Sequence, residues 1–403
     1  MANDKKTNTN GTQWGTSYGQ MVWRQFAKGV LNKLALCFIV ILFIAAVFAP
    51  LIANDKPYFF VQGGKVDFPL FASLTANDYT VFIFAAAALA ILFFARRNSR
   101  AVDPSIRAQV FGRQLLIIIS AAIIVSGAVQ WQMPRKNITT DYKALAAAGA
   151  YEKALFAPVP YSYSRTNLAK RQMPPSKQHY FGTDDVGSDV LARVIHGSRV
   201  SLSVGFVAVG ISVVIGVIVG AVLGYFGGKI DFLGMRIIEI VMAVPTFFLI
   251  ITIVAFYQRS LFNIMVIIGI TSWTGYARFV RAEFLKLRSQ DFVQAAKSLG
   301  LPLHSILFRH ILPNGIAPVL VSAAFGIAAA IFTEAALSFL GFGVVPPTPS
   351  WGQMLSSGVS VTGEFLWWLS LFPGLAIFLT AIAYNMVGEG LRDAIDPKLR
   401  ASA

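Results

Sequence analysis

Long apolar stretches alternate with short polar stretches along the whole chain. A helix that crosses a bilayer needs about 20 mainly apolar residues. Segments of about that length recur often enough to predict an all-α, polytopic membrane protein with about eight spans, of which the second and third are the shortest. The predicted spans are 34–53, 79–95, 115–131, 200–224, 232–257, 260–277, 315–340 and 365–388.

Lysine and arginine are concentrated in particular polar loops, which predicts their orientation. The loop 96–114 holds five arginines against one acid, Asp103. Short loops rich in Lys and Arg lie in the cytoplasm. Because successive spans cross the membrane in opposite directions, both chain ends and the basic loop 278–314 are then inside. Residues 132–198 are outside. The predicted topology is therefore N-in and C-in.

The spans divide the chain into four predicted regions. Residues 1–33 are a cytoplasmic N-terminal leader, and 34–131 contain the N-terminal spans. Residues 132–198 are a periplasmic loop, and 199–398 are the main transmembrane domain with its cytoplasmic loop 278–314.

The periplasmic loop ends in a motif that predicts the start of a helix. Its turn-forming and helix-capping residues are Gly182, Thr183, Asp184 and Asp189. An apolar stripe then faces away from Arg193 and His196; it consists of Val190, Leu191, Val194 and Ile195. This pattern favours an amphipathic helix on the outer membrane surface, and a solvated loop is the alternative.

Small residues recur every four positions in the fourth predicted span. Gly216, Gly220 and Gly224 continue a row that begins at Ala208 and Ser212. Such a row forms a smooth helix face on which a second helix packs backbone to backbone. Pro245, Pro318 and Pro373 lie within later spans and predict kinks, because each removes a backbone hydrogen bond.

Two acidic residues fall within or near the apolar spans. Glu239 follows Arg236 by three positions, so a local ion pair is predicted. Glu334 lies near the outer end of its span. A carboxyl group at such a depth is costly, so Glu334 either lines a gate on a translocation path or supports a helix–helix contact.

Composition and missing motifs narrow the function classes. The chain is 56% hydrophobic with 13% charged residues, a net charge of +15 and one cysteine, Cys37, in an apolar run. In such a chain the basic excess marks cytoplasmic loops rather than a nucleic-acid partner. The sequence has no phosphate-binding Gly-x-x-x-x-Gly-Lys loop, zinc-protease motif or catalytic constellation, so no cofactor is expected in this chain.

The cytoplasmic loop between the sixth and seventh predicted spans contains the most informative motif. Gln294, Ala295, Ala296 and Gly300 predict a short helix and a tight turn. Pro313 is expected to end the loop helix where the next span begins. A short helix exposed among basic residues is suited to contact with another protein.

These motifs resemble the C-type permease subunits of bacterial oligopeptide and dipeptide ABC importers. Most of 180–398 takes part in the resemblance, which is found at 181–191, 225–231, 276–281, 294–313, 337–343, 346–352 and 388–397. Residues 52–57 are similar to the microcin-C-type subgroup. Two features depart from the family: Gln294 replaces the usual Glu, and 79–131 looks like an insertion, because most members have six spans.

The resemblance implies a type I ABC importer fold, in which 199–398 is the permease domain and 278–314 couples it to ATPases. The implied location is the bacterial inner membrane. The implied partners are a second, B-type permease forming a heterodimer, two cytoplasmic ATPases that hold the ATP, a periplasmic binding protein and a peptide substrate.

Several alternatives stay open at the level of sequence. Nickel and peptide-antibiotic importers share these membrane motifs. A secondary transporter of small solutes would more often carry charges at the membrane midplane and inverted repeats. A membrane-embedded enzyme would need a catalytic group within its spans.

Overall fold

The computed structural model describes residues 18–101, 104–132, 140–149, 152–358 and 365–395. Most of the predicted leader therefore lies outside the described residues. The same is true of Asp103 in the first cytoplasmic loop, of part of the periplasmic loop, and of the last residues of the C-terminal motif and domain.

The described residues form a mostly helical protein, as predicted. The N-terminal part contains α1 (Tyr18–Phe26), α2 (Val30–Val47), α3 (Ala49–Ile52), α4 (Pro69–Ala72), α5 (Ala76–Ala101), α6 (Pro104–Gln132), α7 (Tyr142–Ala147) and a 3-10 turn (Leu168–Lys170). The central part contains α8 (Val190–Phe226), α9 (Gly228–Ala243), α10 (Thr246–Phe256), α11 (Leu261–Thr271) and α12 (Trp273–Leu287). The last part contains α13 (Asp291–Ser298), α14 (Leu303–Ser305), a π-helix (Ile306–Ile311), α15 (Leu312–Phe339), α16 (Trp351–Ser356) and α17 (Trp367–Ile395).

Among the described residues, six helices are long and apolar enough to span a membrane, and a bent pair raises the total to seven. The bent pair is α9 and α10, which meet at an angle of 76° beside Pro245, where a kink was predicted. The sixth predicted span, 260–277, is corrected: it is split at Ser272 into the 11-residue α11 and the more polar α12.

Helix α8 is the central packing element of the protein. One face carries the small residues and lies against α11 and α12. A second face meets α15, where Gly205 lies beside Ile327 and Ile331. Helix α17 packs on α15, and α2 packs on α8 and α17. The buried side chains between these helices form one continuous apolar core.

The bundle has two distinct ends. At one end, Asn32 of α2 lies beside Gly390 of α17, and Arg288 after α12 bonds the carbonyl of Tyr225 in α8. At the other end, Trp368 at the start of α17 bonds the carbonyl of Thr183. The loop containing α13 is thus at one end and the described part of the long loop 132–198 at the other, which agrees with the predicted topology.

Helices α5 and α6 form a hairpin at the side of the bundle. They contact each other extensively and reach the rest of the chain mainly through α2 and through an ion pair between Asp78 and Arg199 of α8. The α5–α6 hairpin corresponds to the predicted insertion 79–131.

A small antiparallel sheet was not predicted from the sequence. It is ordered β2-β1-β3, with β1 at Phe59–Gln62, β2 at Lys65–Asp67 and β3 at Lys153–Leu155. Strand β1 pairs with β2, which precedes the α5–α6 hairpin in the chain, and with β3, which follows it. Strands of three or four residues leave too short an alternation to be recognised in sequence.

Candidate functional site

Helix α13 is a short amphipathic helix at the end of the bundle that carries the basic loops. Val293 and Ala296 are buried against the core, whereas Phe292 and Leu299 are exposed. Gln294 and Ala295 lie on the exposed face with Lys297. The inner face therefore fixes the helix to the bundle, and the outer face exposes apolar and basic groups.

The turn after α13 places position 300 in the left-handed conformation that glycine favours. Gly300 has φ of +68°, and its N–H donates to the carbonyl of Lys297 at 2.9 Å. The N–H of Leu301 donates to the carbonyl of Ala296 at 3.2 Å. This pair of bonds is a Schellman motif, which satisfies the last carbonyls of a helix and needs a left-handed residue.

Gln294 and Lys297 attach α13 to its neighbours. The Gln294 side-chain amide donates to the carbonyl of Arg288 at 2.9 Å, just beyond α12. The Lys297 ammonium lies 5.1 Å from the centre of the Tyr225 ring in α8. A glutamate in place of Gln294 would have no N–H to give to that carbonyl, which supplies a structural reason for glutamine here.

Pro313 was expected to end the loop helix where the next span begins, and this expectation was wrong. Pro313 lies in the first turn of α15, and the chain reaches it through the π-helix without a break. A proline is tolerated in a first helical turn. The asparagine that follows, Asn314, donates from its side chain to the carbonyl of His310 at 2.7 Å.

The glycine row of α8 lies directly on α12. A Cβ atom added to Gly216 would come within 2.5 Å of the Cβ of Tyr276. The same atom on Gly220 would lie 2.5 Å from the carbonyl oxygen of Ala277, and on Gly224 it would lie 2.6 Å from that of Arg281. The two backbones therefore touch along three turns, and α12 leads straight to α13.

At the opposite end, the motif containing Gly182 and Thr183 forms a tight loop that joins α8 to α17. Gly182 has φ of +77°, and a Cβ there would lie 2.6 Å from the carbonyl oxygen of Met173. Thr183 is fully buried, and its carbonyl accepts from the Trp368 indole at 3.1 Å. Phe181 and Phe372 stack beside it at 3.8 Å between centroids.

The two aspartates of this motif have separate partners. Asp184 accepts from the backbone N–H of Ser188 at 2.7 Å and forms an ion pair with Arg193. Asp189 caps α8 by accepting from the N–H of Ala192 at 2.8 Å, and its second oxygen lies 2.9 Å from Nδ1 of His179. Both carboxyl groups are buried, so they hold the loop and the start of α8 together.

The predicted amphipathic surface helix is also corrected. Residues 190–196 are the first turns of the continuous α8, and Arg193 and His196 on their polar side are buried. The polar side chains face protein: His196 lies 3.0 Å from the carbonyl of Ala53. Sequence periodicity shows a polar stripe but does not show what covers it.

Glu334 lies inside the subunit. Its side chain is fully buried, and the Ser338 hydroxyl donates to it at 2.6 Å while Ser350 lies next in the chain of hydroxyls. In this structure the carboxyl group is enclosed by α15 and the segment that leads into α16. A gating role for Glu334 stays a prediction.

Some residues that hold this architecture were missed from sequence. Trp351 donates its indole N–H to the carbonyl of Val194 at 2.9 Å, and Trp368 and His179 make the contacts described above. The residues beside a tryptophan in the sequence do not indicate which distant residue its indole N–H will contact. Among the described residues, no group of three or more His, Cys, Asp or Glu side chains comes together to hold a metal.

Comparisons with known proteins cover most of this architecture. Residues 213–401 match the sequence model of the binding-protein-dependent transport system inner membrane component. Residues 17–72 match that of the N-terminal TM domain of oligopeptide transport permease C. The α5–α6 hairpin lies between the two matched regions.

Several curated proteins are similar to the chain. The dipeptide transport system permease protein DppC of Alkalihalophilus pseudofirmus is 43% identical over 250 residues, which are 62% of this chain and 82% of that protein. The oligopeptide transport system permease protein OppC of Bacillus subtilis is 43% identical over 249 residues, 61% of this chain and 81% of that protein. Among solved structures, a chain of the inward-facing MetNI methionine ABC transporter matches with 18% identity and a TM-score of 0.42, covering 51% of this chain and 97% of that chain.

Proposed function

Because this chain belongs to the inner-membrane components of binding-protein-dependent transport systems, in the branch of the oligopeptide and dipeptide C-type permeases, we propose that it imports peptides. It is a multi-pass inner-membrane permease subunit of an ABC importer. The peptide substrate is proposed from the dipeptide and oligopeptide transport systems to which the relatives DppC and OppC belong.

The proposed partners are a B-type permease that completes a heterodimer, two cytoplasmic ATPases and a periplasmic binding protein. In this proposal the chain itself binds no nucleotide and catalyses no reaction. ATP binding closes the ATPases, and their movement is passed to the membrane helices through α13. The binding protein delivers peptide at the end that carries Gly182, Thr183, Asp184 and Asp189.

The observation that carries this proposal is the way α13 is attached. Its outer face is free to contact an ATPase, while Gln294 bonds the segment after α12 and Lys297 packs on Tyr225 of α8. Helix α12 in turn lies backbone to backbone on α8 at Gly220. A displacement of α13 would therefore move α8 and α12 as one rigid unit.

A substitution at Gly300 tests the coupling role. Gly300→Val should reduce peptide uptake per ATP hydrolysed several-fold in the reconstituted importer, because a β-branched residue at positive φ costs roughly 1–2 kcal/mol and opens the turn. A steric clash is not the reason for this effect, since no atom lies within 4 Å of a Cβ added at Gly300. Uptake and ATP hydrolysis are measured together in proteoliposomes.

Gly300→Asn is the matched control, because asparagine tolerates a left-handed conformation better than other residues. It should keep most of the coupling. Uptake by Gly300→Val at the wild-type ratio to ATP hydrolysis would contradict the coupling role of this loop. Uptake of peptide without ATP would instead favour a secondary transporter.

A further inference from the structure

Helix α9 is unusually exposed for part of a membrane protein. Ile238 is its one buried residue, and the side chains of Arg236 and Glu239 are both more than half exposed. Glu239 lies eleven residues beyond Gly228, which corresponds to about 16 Å of helix. Ionised groups on an apolar helix of a membrane protein face protein or water rather than lipid.

These charged groups line a groove between α9 and α12. Two adjoining cavities of about 280 and 340 Å³ share Met235 and Glu239 in their walls. Arg281 lines the first cavity, and Arg278 and Met242 line the second. Together they are large enough to hold part of a short peptide.

The charges of the groove do not balance. Glu239 pairs with Arg236 at 2.6 Å, and Asp231 pairs with Arg281. Among the described residues, no carboxylate pairs with Arg278, whose guanidinium contacts the Met242 sulfur at 3.7 Å. The groove therefore offers one uncompensated positive charge with free N–H donors.

We propose that Arg278 binds the terminal carboxylate of the transported peptide in this groove. The proposal rests on the proposed function and adds a substrate contact to it. A guanidinium donates two parallel N–H bonds to a carboxylate, and these contacts strengthen where water is scarce. Because every linear peptide with a free C-terminus carries this group, one arginine serves substrates of different sequence.

The apolar part of the groove suits varied side chains. Met235 and Met242 have flexible thioether side chains that adapt to different shapes. A lipid headgroup also carries an anion, but its two acyl chains would have to lie beside Arg236 and Glu239. We therefore assign the site to peptide, and lipid is an outcome of the test.

Thiol labelling in the assembled importer tests this site. Cys37, the single cysteine, is changed to Ser, and Met242→Cys places a thiol beside Arg278. A membrane-impermeant maleimide is applied to the nucleotide-free complex, with trialanine or trialanine amide as probe. Trialanine should slow labelling about ten-fold and trialanine amide should not, because only the former has a carboxylate.

Variants at two arginines give the test its specificity. In the Met242→Cys protein, Arg278→Gln should abolish protection by trialanine and Arg278→Lys should weaken it, since lysine keeps the charge but loses the bidentate geometry. Arg259→Gln is the control, because Arg259 lies outside the groove with its guanidinium 5.8 Å from the Phe342 ring. It should leave protection unchanged.

Several outcomes would overturn the proposal. An unreactive thiol would mean that the second permease covers the groove, and equal labelling with and without trialanine would mean that peptide does not bind there. Labelling that depends on phosphatidylglycerol alone would assign the arginine to lipid. ATP-driven uptake by the same Cys variant is measured in parallel: uptake without protection refutes the groove, whereas absence of uptake in the wild-type importer refutes the proposed function.

Discussion

At the scale of single residues, the outer motif depends on a buried ion pair. Asp184 and Arg193 are each less than a tenth exposed, and Asp184 also accepts backbone N–H groups. Removing one partner of a buried pair leaves the other charge without compensation.

Asp184→Ala should therefore destabilise the protein by about 3–5 kcal/mol. Asp185→Ala is the matched control, because this neighbouring acid is exposed and its loss should cost less than about 0.5 kcal/mol. The unfolding temperature of the detergent-solubilised protein, followed by tryptophan fluorescence, compares the two. Equal unfolding temperatures would mean that the pair contributes little to stability.

The environment of Lys143 predicts that the stability contributed by this site depends on pH. Burial lowers the pKa of this ammonium to about 8, although it lies over the Tyr161 ring at 3.4 Å. Between pH 8 and 10.5 the folded protein has released this proton while the unfolded chain retains it. The unfolded state then binds more protons, so the stability contributed by this site rises with pH across that window.

The protonation of Lys143 is measured by its rate of reaction with acetic anhydride, read by mass spectrometry at each pH. The rate should reach half of its maximum near pH 8. Tyr161→Leu is the variant for comparison and tests whether the ring contributes. A midpoint near the 10.5 of a free lysine would show that the side chain is solvated.

At the scale of elements, the close contact of α8 and α12 gives a sharp test. Gly220→Ala should lower stability by about 1–3 kcal/mol, because the added methyl group would overlap the Ala277 carbonyl and separate the helices. Gly210→Ala lies on the same helix with nothing within 4 Å. It should be neutral or slightly stabilising, since alanine favours a helix over glycine.

Both glycine variants are compared by their unfolding temperature and by the amount of assembled complex that is recovered. If Gly220→Ala matched Gly210→Ala in both respects, the two helices would have room between them and the rigid-unit argument would fail.

The elements that were predicted correctly are those that depend on local composition. Apolar length gave most of the spans, and Pro245 gave the sharp bend between α9 and α10. The split at Ser272 was missed because apolar residues continue on both sides of it. The continuity of α8 was missed because a buried Arg193 has the same sequence pattern as an exposed one.

The residues of the candidate site also divide into those that local sequence predicts and those that it does not. Gly300 and the glycine row were found because glycine marks left-handed turns and close helix contacts, and its spacing is visible in one sequence. The role of Trp368 in holding Thr183 is set by residues 185 positions apart in the chain. One sequence contains no signal for such a contact.

At the scale of the whole molecule, the α5–α6 hairpin is a peripheral addition. The matched family regions end before it and resume after it. Its buried anchor is the pair of Asp78 with Arg199. A protein whose residues 76–132 are replaced by a flexible linker, with Arg199→Met to remove the unpaired charge, should retain ATP-driven uptake within about two-fold, since distant sites act independently.

The measurement is uptake per assembled complex in proteoliposomes. The same replacement with Arg199 retained is the control and should assemble less well, because a buried guanidinium would lack its partner. If the Arg199→Met protein assembled normally but did not transport, the hairpin would be part of the transport machinery.

The π-helix before α15 separates the loop from the span that follows it. A π turn contains an additional residue, and each residue turns an α-helix by about 100°. The loop that carries α13 is thus offset in phase from the face that α15 turns toward α8 and α17. The angular position of the loop that carries α13 and the packing of α15 in the bundle are therefore specified by different stretches of sequence. Deleting one residue within 306–311 would rotate the loop about the axis of α15 while every span stayed in register.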